Sequence, residues 1–169
     1  MKSIKTPLTV DDIISLKVGD MVSLSGRIFA GRDAVLPKVV KILTQKTPEQ
    51  CGIYLEGSVI FHTAVSPAGL GPTSSNKAEI ESTIPELSRL GVRLHLGKGA
   101  LSPETIAALN RFGSVYAVVP PVTALLVSKT LTGRVAAFPE EGMEALHELD
   151  VVDYPIIIAA AHGSSIYDK

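Results

Sequence analysis

The chain predicts an α/β fold in which a strand-rich first half gives way to strands and helices in alternation. Three observations carry this expectation. Residues 77–138 switch repeatedly between helical spacing and short apolar runs, at the interval of βα units. Residues 21–64 hold strand-like runs bounded by Gly, Pro and Ser. The helical patterns also carry their own start signals, of which Ser102-Pro103-Glu104-Thr105 is the strongest.

Taken in order, Thr9-Val10-Asp11-Asp12 reads as a capping box opening a short helix through Leu16, with Asp12 where Glu usually stands. Val18-Gly19-Asp20 is a turn, and a strand spans roughly 21–30, half-exposed or bent at Gly26. A helix is expected over 32–46, with Pro37 in its first turn or at a kink. Strands at 53–55 and 59–64 flank Glu56-Gly57-Ser58, which reads as a hairpin connection. The alternating half then comprises helix 77–90, strand 92–96, helix 103–112, strand 115–119, a helix from about 121 to 129, and strand 134–138.

Composition narrows the function classes. A chain of 169 residues forms one domain and buries about two-thirds of its unfolded surface. Sixteen basic residues against seventeen acidic ones leave a net charge of -1, so no general field attracts nucleic acid or an anionic membrane. The apolar stretches at 115–127 and 156–161 are too broken or too short to span a bilayer, and Met1-Lys2-Ser3-Ile4-Lys5-Thr6-Pro7 does not run into a secretory segment. A cytoplasmic protein is the expectation. The lone Cys51 offers neither an internal disulfide nor the thiolates of an iron–sulfur cluster, and reads as a small half-buried residue. His62, His95, His147 and His162 show no metal-ligand spacing. His62 and His95 read as strand residues with one face near solvent.

The chemistry-bearing stretch is Gly71-Pro72-Thr73-Ser74-Ser75-Asn76-Lys77, a turn rich in hydroxyls before a helical pattern. Alone it reads as a loop end with Ser75 or Asn76 as helix cap. Two further elements change that reading. A strand runs into Gly31-Arg32-Asp33, and another ends in Gly97-Lys98-Gly99. Three junctions thus carry Arg32, Lys77 and Lys98 beside glycines that permit close backbone approach, a set suited to a dicarboxylate or another multiply charged small anion.

These pieces resemble the β subunit, or C-terminal domain, of class I fumarases and L(+)-tartrate dehydratases. The resemblance rests on Gly19-Asp20, the run from Leu24-Ser25-Gly26 to Gly31-Arg32-Asp33-Ala34, Gly71-Pro72-Thr73-Ser74, Gly97-Lys98-Gly99, and Gly142-Met143-Glu144-Ala145 leading to Val152-Asp153-Tyr154-Pro155. They follow the family's order over residues 19–155. It implies a mixed β/β/α swivelling domain and a hydro-lyase that reversibly adds or removes water on fumarate/malate or tartrate/oxaloacetate. It further implies a hetero-oligomer, inactive without a separate α subunit whose 4Fe–4S cluster acts as Lewis acid; this chain alone would bind no cofactor. Thr73 matches the proton-abstracting threonine and would need activation by a partner group. Arg32, Lys77 and Lys98 match the substrate cations, with Gly71 and Ser74 shaping the turn. Asp33 either orients Arg32 or caps the next helix, the second reading being favoured. Lys77 stands where the family carries arginine, and Val35-Leu36 where it carries Ala-His. The alternative is a non-catalytic dicarboxylate-binding or regulatory subunit.

Overall fold

The computed structural model describes residues 1–66, 69–73, 77–119, 126 and 128–168, with the backbone alone at 66, 69–73 and 77–80. Strand β1 (Lys2–Lys5) leads to helix α1 (Val10–Ser15), and the expected capping box is present. Asp12 N–H donates to Thr9 Oγ1 at 3.1 Å, and Thr9 N–H donates to the Asp12 carboxylate at 2.8 Å. Strand β2 (Met21–Ala30) has the expected bounds, and its register shifts between Leu24 and Gly26. Helix α2 (Leu36–Gln45) begins later than predicted: residues 33–35 form a turn, and Pro37 lies in the first helical turn, where its missing N–H costs nothing.

The short helix α3 (Pro48–Cys51) holds half-buried Cys51, and beyond it the reading of two strands joined by a hairpin is overturned. Residues 53–55 are not a strand, because their neighbours bond to loops: Gly57 N–H donates to Gly91 O and Leu8 N–H donates to Gly57 O. Ile53 and Leu55 are apolar because they are buried, not because they are paired. Strand β3 (Val59–Phe61) pairs in parallel with β2, which no hairpin allows. The predicted 59–64 strand divides at His62, after which β4 (Thr63–Ser66) pairs antiparallel with β5 (Gly69–Thr73). Gly71 therefore lies in a strand rather than a turn.

Alternation then follows as expected, with α4 (Lys77–Arg89), β6 (Leu94–Gly97), α5 (Pro103–Phe112) and β7 (Val115–Val118). Ser102 Oγ accepts from Thr105 N–H at 3.3 Å, and Pro103 opens α5 as predicted. The helix expected near 121–129 falls largely outside the described residues. The chain returns to strand in β8 (Thr130–Ala137), a 3₁₀ turn (Pro139–Glu144), the sixteen-residue β9 (Leu146–Ala161) and β10 (Ser164–Ser165).

Strand β9 closes the sheet. Strands β2, β3, β6 and β7 are successively parallel, and β9 runs antiparallel to both β7 and β2. The five form a ring. The period of two sends Leu24, Ile28, Val59, Phe61, Leu94 and Leu96 into its interior. On the outside, Phe29 and Ile60 pack with Val39 of α2 and Leu87 of α4, while Tyr116 packs with Ile84, Ile106 and Leu109. The layers make an α/β architecture, as the sequence predicts. None of the helices among the described residues is long and apolar enough to cross a membrane.

Candidate functional site

Parallel strands in register bring their carboxyl ends to one edge, where α/β folds build their sites. The row Ala30, Phe61, Leu96 and Ala117 is paired across β2, β3, β6 and β7. One step beyond, Gly31 N–H donates to Phe61 O and His62 N–H donates to Leu96 O, both at 3.0 Å. Arg32 and Lys98 therefore leave the ring at the same edge, two strand spacings or roughly 10 Å apart along the backbone.

Each junction is fixed by packing. A Cβ on Gly31 would sit 2.8 Å from Val35 Cγ1 and 3.3 Å from Leu36 Cδ2, so only glycine lets the chain turn closely onto α2. At the other junction a Cβ on Gly97 would meet the Tyr116 hydroxyl at 3.1 Å and its ring Cε1 at 3.3 Å. That hydroxyl donates to Gly99 O at 3.1 Å and clamps the turn from which exposed Lys98 projects. Burial raises the Tyr116 phenol, which stays a protonated donor at neutral pH.

Arg32 has a partner that sequence reasoning missed. Its Nε donates to Glu144 at 3.2 Å, and its Nη2 donates to the other carboxylate oxygen. The contact closes a fork between the end of β2 and the 3₁₀ turn, which also lies against β4. Glu144 holds the guanidinium pKa above its ordinary value. The segment Gly142-Met143-Glu144-Ala145 was a visible motif, but nothing in its spacing pointed to Arg32, 112 residues away. The favoured role of Asp33 as helix cap does not hold at the cap position, which is Val35 and has no side-chain cap hydrogen bond.

Of the Gly71–Lys77 segment, residues 71–73 lie in β5, which β4 leads to from this edge, and Thr73 is the register partner of Thr63, the residue after His62. Lys77 is the first residue of α4. Ser74 and the proposed caps Ser75 and Asn76 lie outside the described residues, as do the side chains of Thr73 and Lys77.

The two histidines correct the sequence reading further. The outward-facing side of the ring is covered by α4, so His62 and His95 are buried rather than solvent-facing. His62 Nε2 lies 3.1 Å from His95 Nδ1, and His95 Nε2 lies 2.9 Å from Ser88 Oγ. Burial lowers His62 to about 4 and His95 well below its ordinary value, and both are neutral at pH 7. Alternation of each histidine with ring-interior residues was the available signal. Helical spacing alone did not show which side of the sheet α4 covers.

Cys51 is isolated, with Sγ 4.0 Å from Pro48 O, and no three His, Cys, Asp or Glu side chains gather to hold a metal ion among the described residues. This donor set does not fit an iron–sulfur cluster. A cleft of about 470 Å³ between α5 and residues 163–168 is lined by no cation. A second, of about 500 Å³, is lined by Lys5 and Arg27 together with Glu56, Glu148 and Asp150. Neither matches a multiply charged anion as the strand-end edge does.

Comparison with known proteins gives the family of the chain. The family model described as "Fumarase C-terminus" matches residues 2–169. A Methanocaldococcus jannaschii protein named "Putative L(+)-tartrate dehydratase subunit beta" is 32% identical over 177 residues, covering 96% of this chain and 89% of that one. The Escherichia coli "L(+)-tartrate dehydratase subunit beta" is 26% identical over 179 residues, with 98% and 86% covered. "Fumarate hydratase 2" of Leishmania major is 28% identical over 162 residues, covering 90% of this chain but 28% of the longer protein.

Proposed function

The chain belongs to the fumarase C-terminus family, and on that premise we propose that it is the β subunit of a two-subunit hydro-lyase acting on a small dicarboxylate. The substrate pair is fumarate and malate, or tartrate and oxaloacetate. The site is shared with a separate α subunit, and this chain is inactive without it. The supporting observation is the convergence of Arg32, Lys98 and the Thr63–Thr73 pairing on the carboxyl edge of the parallel strands.

In this reading Arg32 and Lys98 bind substrate carboxylates, with Lys77 completing the set at the start of α4. Arginine supplies a planar fork, whereas Lys77 and Lys98 act as compact point charges. Glu144 sets the plane of Arg32 and limits its rotation, so a carboxylate meets a guanidinium already oriented. Thr73 transfers the proton at the carbon beside a carboxylate, while Gly71 and Ser74 shape its turn. A threonine hydroxyl is too weak a base by itself, and the partner supplies the group that activates it. The 4Fe–4S cluster belongs to that partner, since the donors of this chain do not fit one, and supplies Lewis-acid chemistry when bound. The assembly is cytoplasmic.

The test is turnover by the assembled complex on fumarate, malate and tartrate. Arg32→Lys and Lys98→Met should each lower kcat/KM by about 100-fold or more, the scale of losing an oriented carboxylate contact. A cluster-loaded complex that turns over none of these acids, or variants that match the wild type, would overturn the reading.

A further inference from the structure

The contact between His62 and His95 is one link of a longer chain. Ser88, His95 and His62 are 0%, 0% and 1% exposed, and they join α4, β6 and the end of β3. Each neutral imidazole carries one N–H, so the links share a single direction. Either Ser88 O–H donates to His95 Nε2 and His95 Nδ1–H donates to His62 Nε2, or both bonds reverse. In the first case His62 carries its proton on Nδ1, and in the second that nitrogen is a bare acceptor. In both, His62 Nδ1 is the open end, buried without a hydrogen-bond partner among the described residues. Core packing gives no reason to keep such a group, because unsatisfied buried polar atoms are destabilising and apolar residues fill the same volume without penalty.

What the chain connects supplies a reason. Helix α4, which carries Ser88, begins at Lys77. Strand β6, which carries His95, runs straight into Lys98. His62 precedes Thr63, the register partner of Thr73. Three elements that deliver three proposed site residues are thus joined in the core by two directional bonds. Apolar contacts between a helix and a sheet permit small sliding, whereas hydrogen bonds at 2.9 and 3.1 Å fix one relative placement.

We propose that the buried Ser88–His95–His62 chain is the positioning device of the dicarboxylate site, holding helix α4 by its last turn and strand β6, which leads to Lys98, against the Thr63–Thr73 pairing. This rests on the hydro-lyase reading above. The three residues touch no substrate and act through Lys77, Lys98 and Thr73.

The test uses the assembled complex. Replacing both imidazoles by hydrocarbon, His62→Leu with His95→Leu, removes both partners of that link together and leaves the Ser88 hydroxyl to donate to the carbonyl of Ile84 one helical turn back, so the fold should stay about as stable as before. Assembly and Tm should hold while kcat falls on the order of 30- to 100-fold, with a smaller change in KM, as for misplacement of groups around the substrate. Two single variants guard against an unfolded double variant. His62→Gln places an amide where Nε2 lies and keeps the bond to His95, so kcat should fall by less than about fivefold. His62→Asn places it where Nδ1 lies and breaks that bond, so kcat should fall by more than about tenfold. Wild-type turnover with an equally active double variant, or equal effects of Gln and Asn, overturns the inference alone. A wild-type complex without turnover overturns the hydro-lyase reading and this inference with it.

Discussion

Lowering the pH from 7 to 5 should weaken the fold through two buried imidazoles before the carboxylates contribute. His62 is held at about 4 in the folded chain against an ordinary 6.5, by burial. Its folded value is depressed, so the unfolded chain takes up the proton first. The stability is fully present above the unfolded value and is lost as the pH falls through the window from 6.5 to 4. The full difference corresponds to about 3 kcal/mol, and roughly 2 kcal/mol of it is lost between pH 7 and pH 5. His95, shifted in the same direction by burial and by the neighbouring His62, adds to the loss. This is a large fraction of the roughly 5–15 kcal/mol that holds a domain together. The carboxylates interfere little above pH 5, because Asp and Glu in the unfolded chain titrate near 4. The assay is urea unfolding at both pH values followed by far-UV circular dichroism, since the chain has no tryptophan. The His62→Leu, His95→Leu double variant retains His147 and His162 and isolates the pair. It should lose most of the pH dependence. Equal slopes for the two proteins, or titration of His62 or His95 itself near 6.5 in the folded chain by NMR, would refute the burial argument.

Other perturbations follow from single contacts. Glu144→Ala removes the fork on Arg32, which is one-quarter exposed, and should cost about 1 kcal/mol in urea unfolding. In the assembled complex the same change should raise KM for the dicarboxylate more than it lowers kcat. Gly97→Ala brings a Cβ to 3.1 Å from the Tyr116 hydroxyl and should destabilise by about 1–3 kcal/mol, whereas Ala at Gly99, where nothing lies within 4 Å of the added carbon, meets only the strain of φ +78. Comparing the two in urea separates steric contact from backbone conformation. Thr9→Ala removes the capping box of α1 and should cost about 1 kcal/mol, read the same way.

The elements legible in the sequence were those whose signals are local. Thr9 with Asp12, Ser102 with Pro103, and the alternation of Val22, Leu24 and Ile28 specify their structures within a few residues. The failures are long-range. Ile53 and Leu55 have a strand's composition but are held by loops, and nothing local says that β3 pairs with β2 rather than with its predecessor. The length of β9 escaped notice because Asp150, Asp153 and Pro155 interrupt its apolar pattern, although it pairs with nearly the whole of β2. For the candidate site, glycine-flanked Arg32 and Lys98 were readable as strand ends, and the parallel register places them on one edge. Glu144 and the His62–His95–Ser88 chain were not readable, because each depends on which surfaces meet after the ring closes.

Anaerobic affinity purification of this chain from its own host tests whether it is one half of a cluster-dependent enzyme. If it is, a cysteine-bearing partner should co-purify with about four irons per pair, as a 4Fe–4S cluster requires. Recovery of the chain alone and free of iron would contradict it and leave a dicarboxylate-binding module as the better description.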